Sequence, residues 1–183
     1  MRNLSRKSNK KICSTAHTRP DGNSTNQSNA SSTGITLTEA NLETADLALR
    51  EVLDGRGNLL NLMPYKAMLM VPPALKKEAL IITQSTLRSG TGNNDKNVYL
   101  GNFDVYVNQY ISSAGGGSDT AWFLIIKEIN GLVFLWREKP AVSAWVDERT
   151  RNMHTSIWST FDFGWIHWYG VWGSKGDSAS YSD

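Results

Sequence analysis

Apolar positions change their spacing along this chain, and the change divides it into elements. The first regular pattern is helical. Leu42, Ala45, Leu49 and Val52 recur on one stripe while Glu43, Asp46 and Arg50 point away from it, as in an amphipathic helix. Thr38 stands where an N-cap is needed, Glu39 falls in the first turn, and Leu37 and Leu42 are spaced for a hydrophobic staple. Asp54-Gly55 is expected to stop this helix, with Gly55 taking a left-handed conformation.

The second pattern is Asn61 to Thr83. Ala67-Met68-Leu69-Met70-Val71 is a short apolar run closed by Pro72-Pro73, the pattern of a strand buried on both faces. Pro72 holds Val71 extended, and Pro73 suits a first helical position, where a missing N–H costs nothing. Leu75, Ala79 and Ile82 then repeat at helical spacing, with Lys76, Lys77 and Glu78 outside.

Beyond the polar loop Arg88–Lys96 the period becomes two. Asn97–Asn108 is expected to hold two strand pieces around Gly101-Asn102, with Phe103, Val105 and Val107 facing one way and Asp104 and Tyr106 the other. Thr120–Ile126 and Leu132–Trp136 read as strands joined in a hairpin at Asn130-Gly131. A charged connection containing Pro140 is expected over Glu138–Asn152. One long last strand is expected over Thr155–Trp172, with Ile157, Phe161, Phe163 and Trp165 on one face and Gly164 at a kink or bulge.

Composition adds a contrast. The 183 residues carry a formal net charge of +2 and one cysteine, Cys13, which excludes an internal disulfide framework and a chain that binds nucleic acid by overall charge. No run approaches a membrane span, and the basic N-terminus lacks the apolar core of a signal peptide. The first 60 residues contain no Phe, Trp or Tyr, whereas all seven tryptophans follow residue 120. Residues 1–33 are expected to be a disordered basic and Asn/Ser-rich tail. Arg2, Arg6, Lys7, Lys10 and Lys11 within it form a possible DNA-contacting arm, against the plainer reading of a solvated terminus.

Chemistry is thin. His17, His154 and His167 have no ligand-like spacing, so no metal site is expected. Cys13 lies beside Lys10 and Lys11 without a packed pocket, and nothing compels Asp162 to pair with Glu148 or Asp147. No catalytic constellation emerges, and neither catalytic nor cofactor-binding residues are expected. The aromatic residues Trp158, Phe161, Phe163, Trp165, Trp168 and Trp172 are read as a subunit interface, because tryptophans on both faces of one strand require burial on both faces. The alternative is a tryptophan-rich β module that stacks on carbohydrate or single-stranded nucleic acid.

Taken in order, several of these pieces resemble the C-terminal half of a tailed-phage major capsid protein with the HK97-like fold, in particular the Mu-like head subunit and prohead protease–capsid fusion group. They are Ser14-Thr15-Ala16-His17, Asn26-Gln27, the Leu37–Leu53 helix with its Asp54-Gly55 stop, Pro64 and the Met68–Ala79 run MLMVPPALKKEA. The Asn97–Val107 strands, Asp119–Leu124 (DTAWFL) and Asp162-Phe163-Gly164 follow. The match spans roughly Ser14 to Gly173, and its most specific part is VPPALKKEA followed by the DTAWFL strand.

The resemblance implies an α+β fold: an axial domain of helices around a central sheet over 34–137, then a returning peripheral-domain strand over 138–173 and a polar tail over 174–183. It also implies that the N-terminal arm, extended loop and spine helix of such proteins are absent, so that the chain is a subunit or a truncated remnant. The implied function is a non-enzymatic shell protein of a phage or prophage, made in the bacterial cytoplasm and self-assembling into an icosahedral head around double-stranded DNA. Implied partners are other copies of the subunit, a scaffold or prohead protease, and packaged DNA through weak non-specific contact. No cofactor and no membrane are implied.

Overall fold

A computed structural model describes residues 11–18, 26–62, 64–88, 95–129, 131–177 and 181. The described residues before 131 and after 167 make one compact unit, and Gly131–His167 makes a second. The architecture is α+β, with a four-stranded sheet and helices in the first unit and a two-stranded sheet in the second.

In the first unit, helix α1 (Glu39–Arg50) begins where the pattern places it, with Thr38 Oγ1 accepting from the Asn41 amide at 3.2 Å. Leu42, Ala45 and Leu49 are fully buried. The helix ends four residues before the expected Asp54-Gly55 stop. Asp54 instead accepts from the Arg56 and Asn58 amides at 2.7 and 2.9 Å, and the left-handed glycine of this turn is Gly57, at φ 87°. An aspartate that bonds the backbone two residues on builds a turn of its own, so the helix stop and the turn are separate features.

Strand β1 (Ala67–Val71) leads through Pro72 into a 3-10 turn at Pro73–Leu75 and helix α2 (Lys76–Gln84), as the proline pair requires. The helix carries the chain over to β2 (Phe103–Val107), which pairs parallel with β1, the connection a parallel pair needs. β1 also pairs antiparallel with β3 (Trp122–Ile126), and β3 with β6 (Val171–Ser174), giving the order β2-β1-β3-β6. Val98–Asn102 is turn and Asn97 lies in no strand, so β2 is the one strand of that stretch.

The two faces of this sheet are covered differently. Ala67, Leu69, Val71, Phe103, Trp122, Leu124, Ile126 and Trp172 pack with the buried stripes of α1 and α2. The other face presents Met68, Met70, Phe123, Ile125 and Val171, and residues from the expected tail lie on it: Ile12, Cys13 and Ala30. Burial on both faces of β1 is therefore achieved with chain that composition assigns to solution. Residues 1–10 and 19–25 of that tail lie outside the described residues.

Polar bonds add to this apolar packing in holding the N-terminal cover. Asn29 is 1% exposed, and its side-chain amide donates to the carbonyls of Ile12 and Val171 at 2.8 and 3.0 Å. Its Oδ1 accepts from the Ser14 amide and lies within 2.9 Å of His17 Nε2. Two donors and two acceptor sites is the full capacity of an asparagine. Ser31 N donates to Gly173 O and Gly173 N to Asn29 O, both at 3.0 Å, so the segment continues the sheet beyond β6. A low-complexity sequence can order when its backbone and amides find such partners.

Candidate subunit interface

The second unit is a hairpin of β4 (Leu132–Val146) and β5 (Met153–Trp165). This replaces two expectations. β4 pairs with β5 rather than with β3, and Asn130 of the expected Asn130-Gly131 turn lies outside the described residues. Gly131 instead permits a close approach, since a Cβ there would lie 2.3 Å from His167 O. β4 also continues through the stretch expected as a charged connection, absorbing Arg137–Pro140 at two irregularities of the ladder, between Trp136 and Glu138 and between Glu138 and Ala141. Proline within a strand is tolerated at a bulge or on an edge, and β4 offers both.

The turn is fixed by Asp147. Its carboxylate accepts from the Arg149 amide at 3.0 Å and the Thr150 hydroxyl at 2.8 Å, and these bonds hold it below the usual carboxylate range. Arg151 closes the turn at φ 60° and donates its amide to Asp147 O.

Register sorts the side chains into two unlike faces. Leu132 pairs with Trp165, Phe134 with Phe163, Trp136 with Phe161, Val142 with Ile157 and Val146 with Met153, and these pairs share one face. Phe134, Trp136 and Phe161 touch, with ring centroids 5.1 to 5.6 Å apart. The opposite face pairs Leu135 with Asp162, Glu138 with Thr160, Ser143 with Ser156 and Trp145 with His154. There Trp158 Nε1 donates to Glu138 Oε1 at 2.8 Å, and Trp145 stacks on His154. One face is mainly apolar, interrupted by Thr155 and Ser159; the other is mixed.

The apolar face is exposed. Phe163 is 76% accessible, Met153 73%, Ile157 70% and Phe134 52%. Two strands alone are marginal in water, and an exposed apolar surface of this extent marks a contact with something else.

Four of the six aromatic residues expected at an interface sit on this hairpin. Phe161, Phe163 and the half-buried Trp165 are on the apolar face, and Trp158 is on the other. Trp168 and Trp172 are not on it, because the expected long strand breaks after Trp165 and resumes as β6. Trp168 stacks on His17 at 4.5 Å between ring centroids, and Trp172 packs against Trp122 at 5.0 Å. Both are buried in the first unit and so are not part of the exposed hairpin surface. The residues sequence reading missed are Phe134, Trp136, Val142 and Met153. Their alternation was visible, but the pairing that places them on one face with β5 was not.

Of the basic arm, Arg2, Arg6, Lys7 and Lys10 lie outside the described residues, and Lys11 is exposed. Among the described residues no three His, Cys, Asp or Glu side chains gather as metal ligands. None of their helices is long and apolar enough to cross a membrane.

A family model described as phage capsid protein matches residues 1–174. No curated protein matches the chain. Among solved structures that match is the crystal structure of a virus-like particle from Pyrococcus furiosus, at 10% sequence identity and a TM-score of 0.35. That match covers 77% of this chain and 56% of the other.

Proposed function

The chain belongs to the phage capsid protein family, and we propose that it builds an icosahedral phage or prophage head of HK97-like organisation around double-stranded DNA. A capsid protein is structural rather than enzymatic, so its chemistry is that of contacts between copies. In this reading the unit built on β2-β1-β3-β6 is the axial-domain frame, and the β4–β5 hairpin reaches a neighbouring subunit. The observation that carries it is the apolar face of Phe134, Trp136, Val142, Met153, Ile157, Phe161 and Phe163, exposed along two long strands. Covering such side chains is worth about 1 kcal/mol or more each, before the cost of association. The basic residues at the N-terminus would contact packaged DNA weakly and without sequence preference, and a scaffold or prohead protease would assist assembly.

Excision tests the assignment. The hairpin base is narrow, with the Ile166 amide donating to Gly131 O at 2.9 Å, so Leu132–Ile166 can be replaced by a short glycine-serine loop. The excised chain is expected to keep the fold of the first unit and to lose assembly into particles seen by electron microscopy. Particles formed equally well without the hairpin would defeat this reading.

A further inference from the structure

The hairpin has two outer edges, and they are unlike. β4 carries Arg137, Glu138, Lys139 and Pro140 at its middle, and its ladder slips there, advancing five residues from Trp136 to Ala141 against three from Phe161 to Trp158 on β5. Charge, proline and bulges are devices that keep a sheet edge from accepting another strand. β5 has neither proline nor extra residues where the ladder slips, and its single acidic side chain, Asp162, accepts from the adjacent Phe163 amide at 2.9 Å. Met153–Trp165 contains no lysine, arginine or glutamate. Among the described residues β4 is the only strand beside it.

We propose that β5 pairs antiparallel with β5 of a second copy about a two-fold axis at Ser159, joining two hairpins into one four-stranded sheet. The proposal rests on the reading of the chain as a self-assembling subunit, and it names the edge that reading leaves open. The sequence of β5 is complementary to itself in this register. On the apolar face, Ile157 meets the second copy's Phe161 and Met153 meets its Trp165. On the other face, Ser156 meets Asp162, a hydroxyl against a carboxylate, and Trp158 meets Thr160. No like charges are opposed, and aromatic with β-branched pairs are among the favourable cross-strand neighbours. A two-fold contact demands this self-complementarity, because each copy offers the same patch. The joined sheet also makes the two apolar faces continuous.

Single cysteines test the edge. Thr160→Cys on β5 and Ala141→Cys on β4 are introduced separately into the full chain on the mixed face, where packing of apolar faces alone would keep them apart. The resident Cys13 is 3% exposed, and the native chain serves as the blank. Assembled material is treated with a short bis-maleimide and separated on a denaturing gel. Thr160→Cys is expected to give at least a tenfold larger covalent-dimer fraction than Ala141→Cys. Assembly with equal dimer from both positions, or more from Ala141→Cys, overturns the β5 edge and leaves the capsid reading standing. A full chain that sediments as monomer at every concentration overturns both.

Discussion

Asn29 Oδ1 lies 2.9 Å from His17 Nε2, and the same asparagine joins residues 12, 14 and 171 through its other hydrogen bonds. One buried amide therefore ties the N-terminal segment to the end of the chain across the face of the sheet.

Asn29→Leu keeps similar bulk and removes all four bonds, leaving the Ile12 and Val171 carbonyls and the Ser14 amide without that partner. An unsatisfied buried group costs about 1–3 kcal/mol, and part of the loss is relieved by water. The variant is expected to be destabilised by about 3 kcal/mol in urea titration, against less than about 0.5 kcal/mol for a surface change such as Lys77→Gln.

Gly173 is a second point of close approach. A Cβ there would lie 2.8 Å from Phe123 Cδ1 and 2.9 Å from Cys13 Sγ. Gly173→Ala should cost about 1–3 kcal/mol by overpacking. Cys13→Ala in the same chain removes one of the two clashes and should recover part of that loss, read as a shift in the urea midpoint.

Burial pushes the Cys13 thiol from its ordinary 9.0 up to about 12. Between those values the unfolded chain has released a proton that the folded chain retains. The stability from a neutral thiol is thus fully present below about pH 9 and is lost as pH rises toward 12. The urea midpoint of the native chain should fall between roughly pH 8.5 and 10.5 more steeply than that of Cys13→Ala. Parallel slopes would remove the thiol from the account.

Truncation separates the basic arm from the segment that covers the sheet. Deleting residues 1–10 removes Arg2, Arg6, Lys7 and Lys10 while keeping Cys13, Ser14 and His17. If those four residues contact phosphate, the slope of log K for DNA against log salt should shrink by about 3.6. Extending the deletion through Arg19 removes Cys13, Ser14 and His17, and is expected to lower stability sharply.

Local signals were legible wherever one stretch of chain decides its own conformation. Thr38 caps α1, the proline pair turns β1 into α2, and the alternation of Phe103, Val105 and Val107 gives the faces of β2. What escaped depends on partners distant in sequence. Asn29 reads as loop composition until Val171 supplies its acceptor 142 residues away. Pro140 reads as a breaker until β5 tolerates the bulge beside it. Asn130-Gly131 reads as a turn, but β3 finds β1 and β6 instead of β4. Of the proposed interface, the alternation on β5 was legible; its extension onto β4 required the register.

The claim that the apolar face of the hairpin joins subunits is tested most directly by sedimentation velocity of the full chain carrying one glutamate. Phe163→Glu places the charge on the apolar face, and Ser143→Glu places it on the opposite face of the same hairpin. Particles are expected from the native chain and from Ser143→Glu, and a folded species of low sedimentation coefficient from Phe163→Glu. Particles from Phe163→Glu at native yield would contradict that claim.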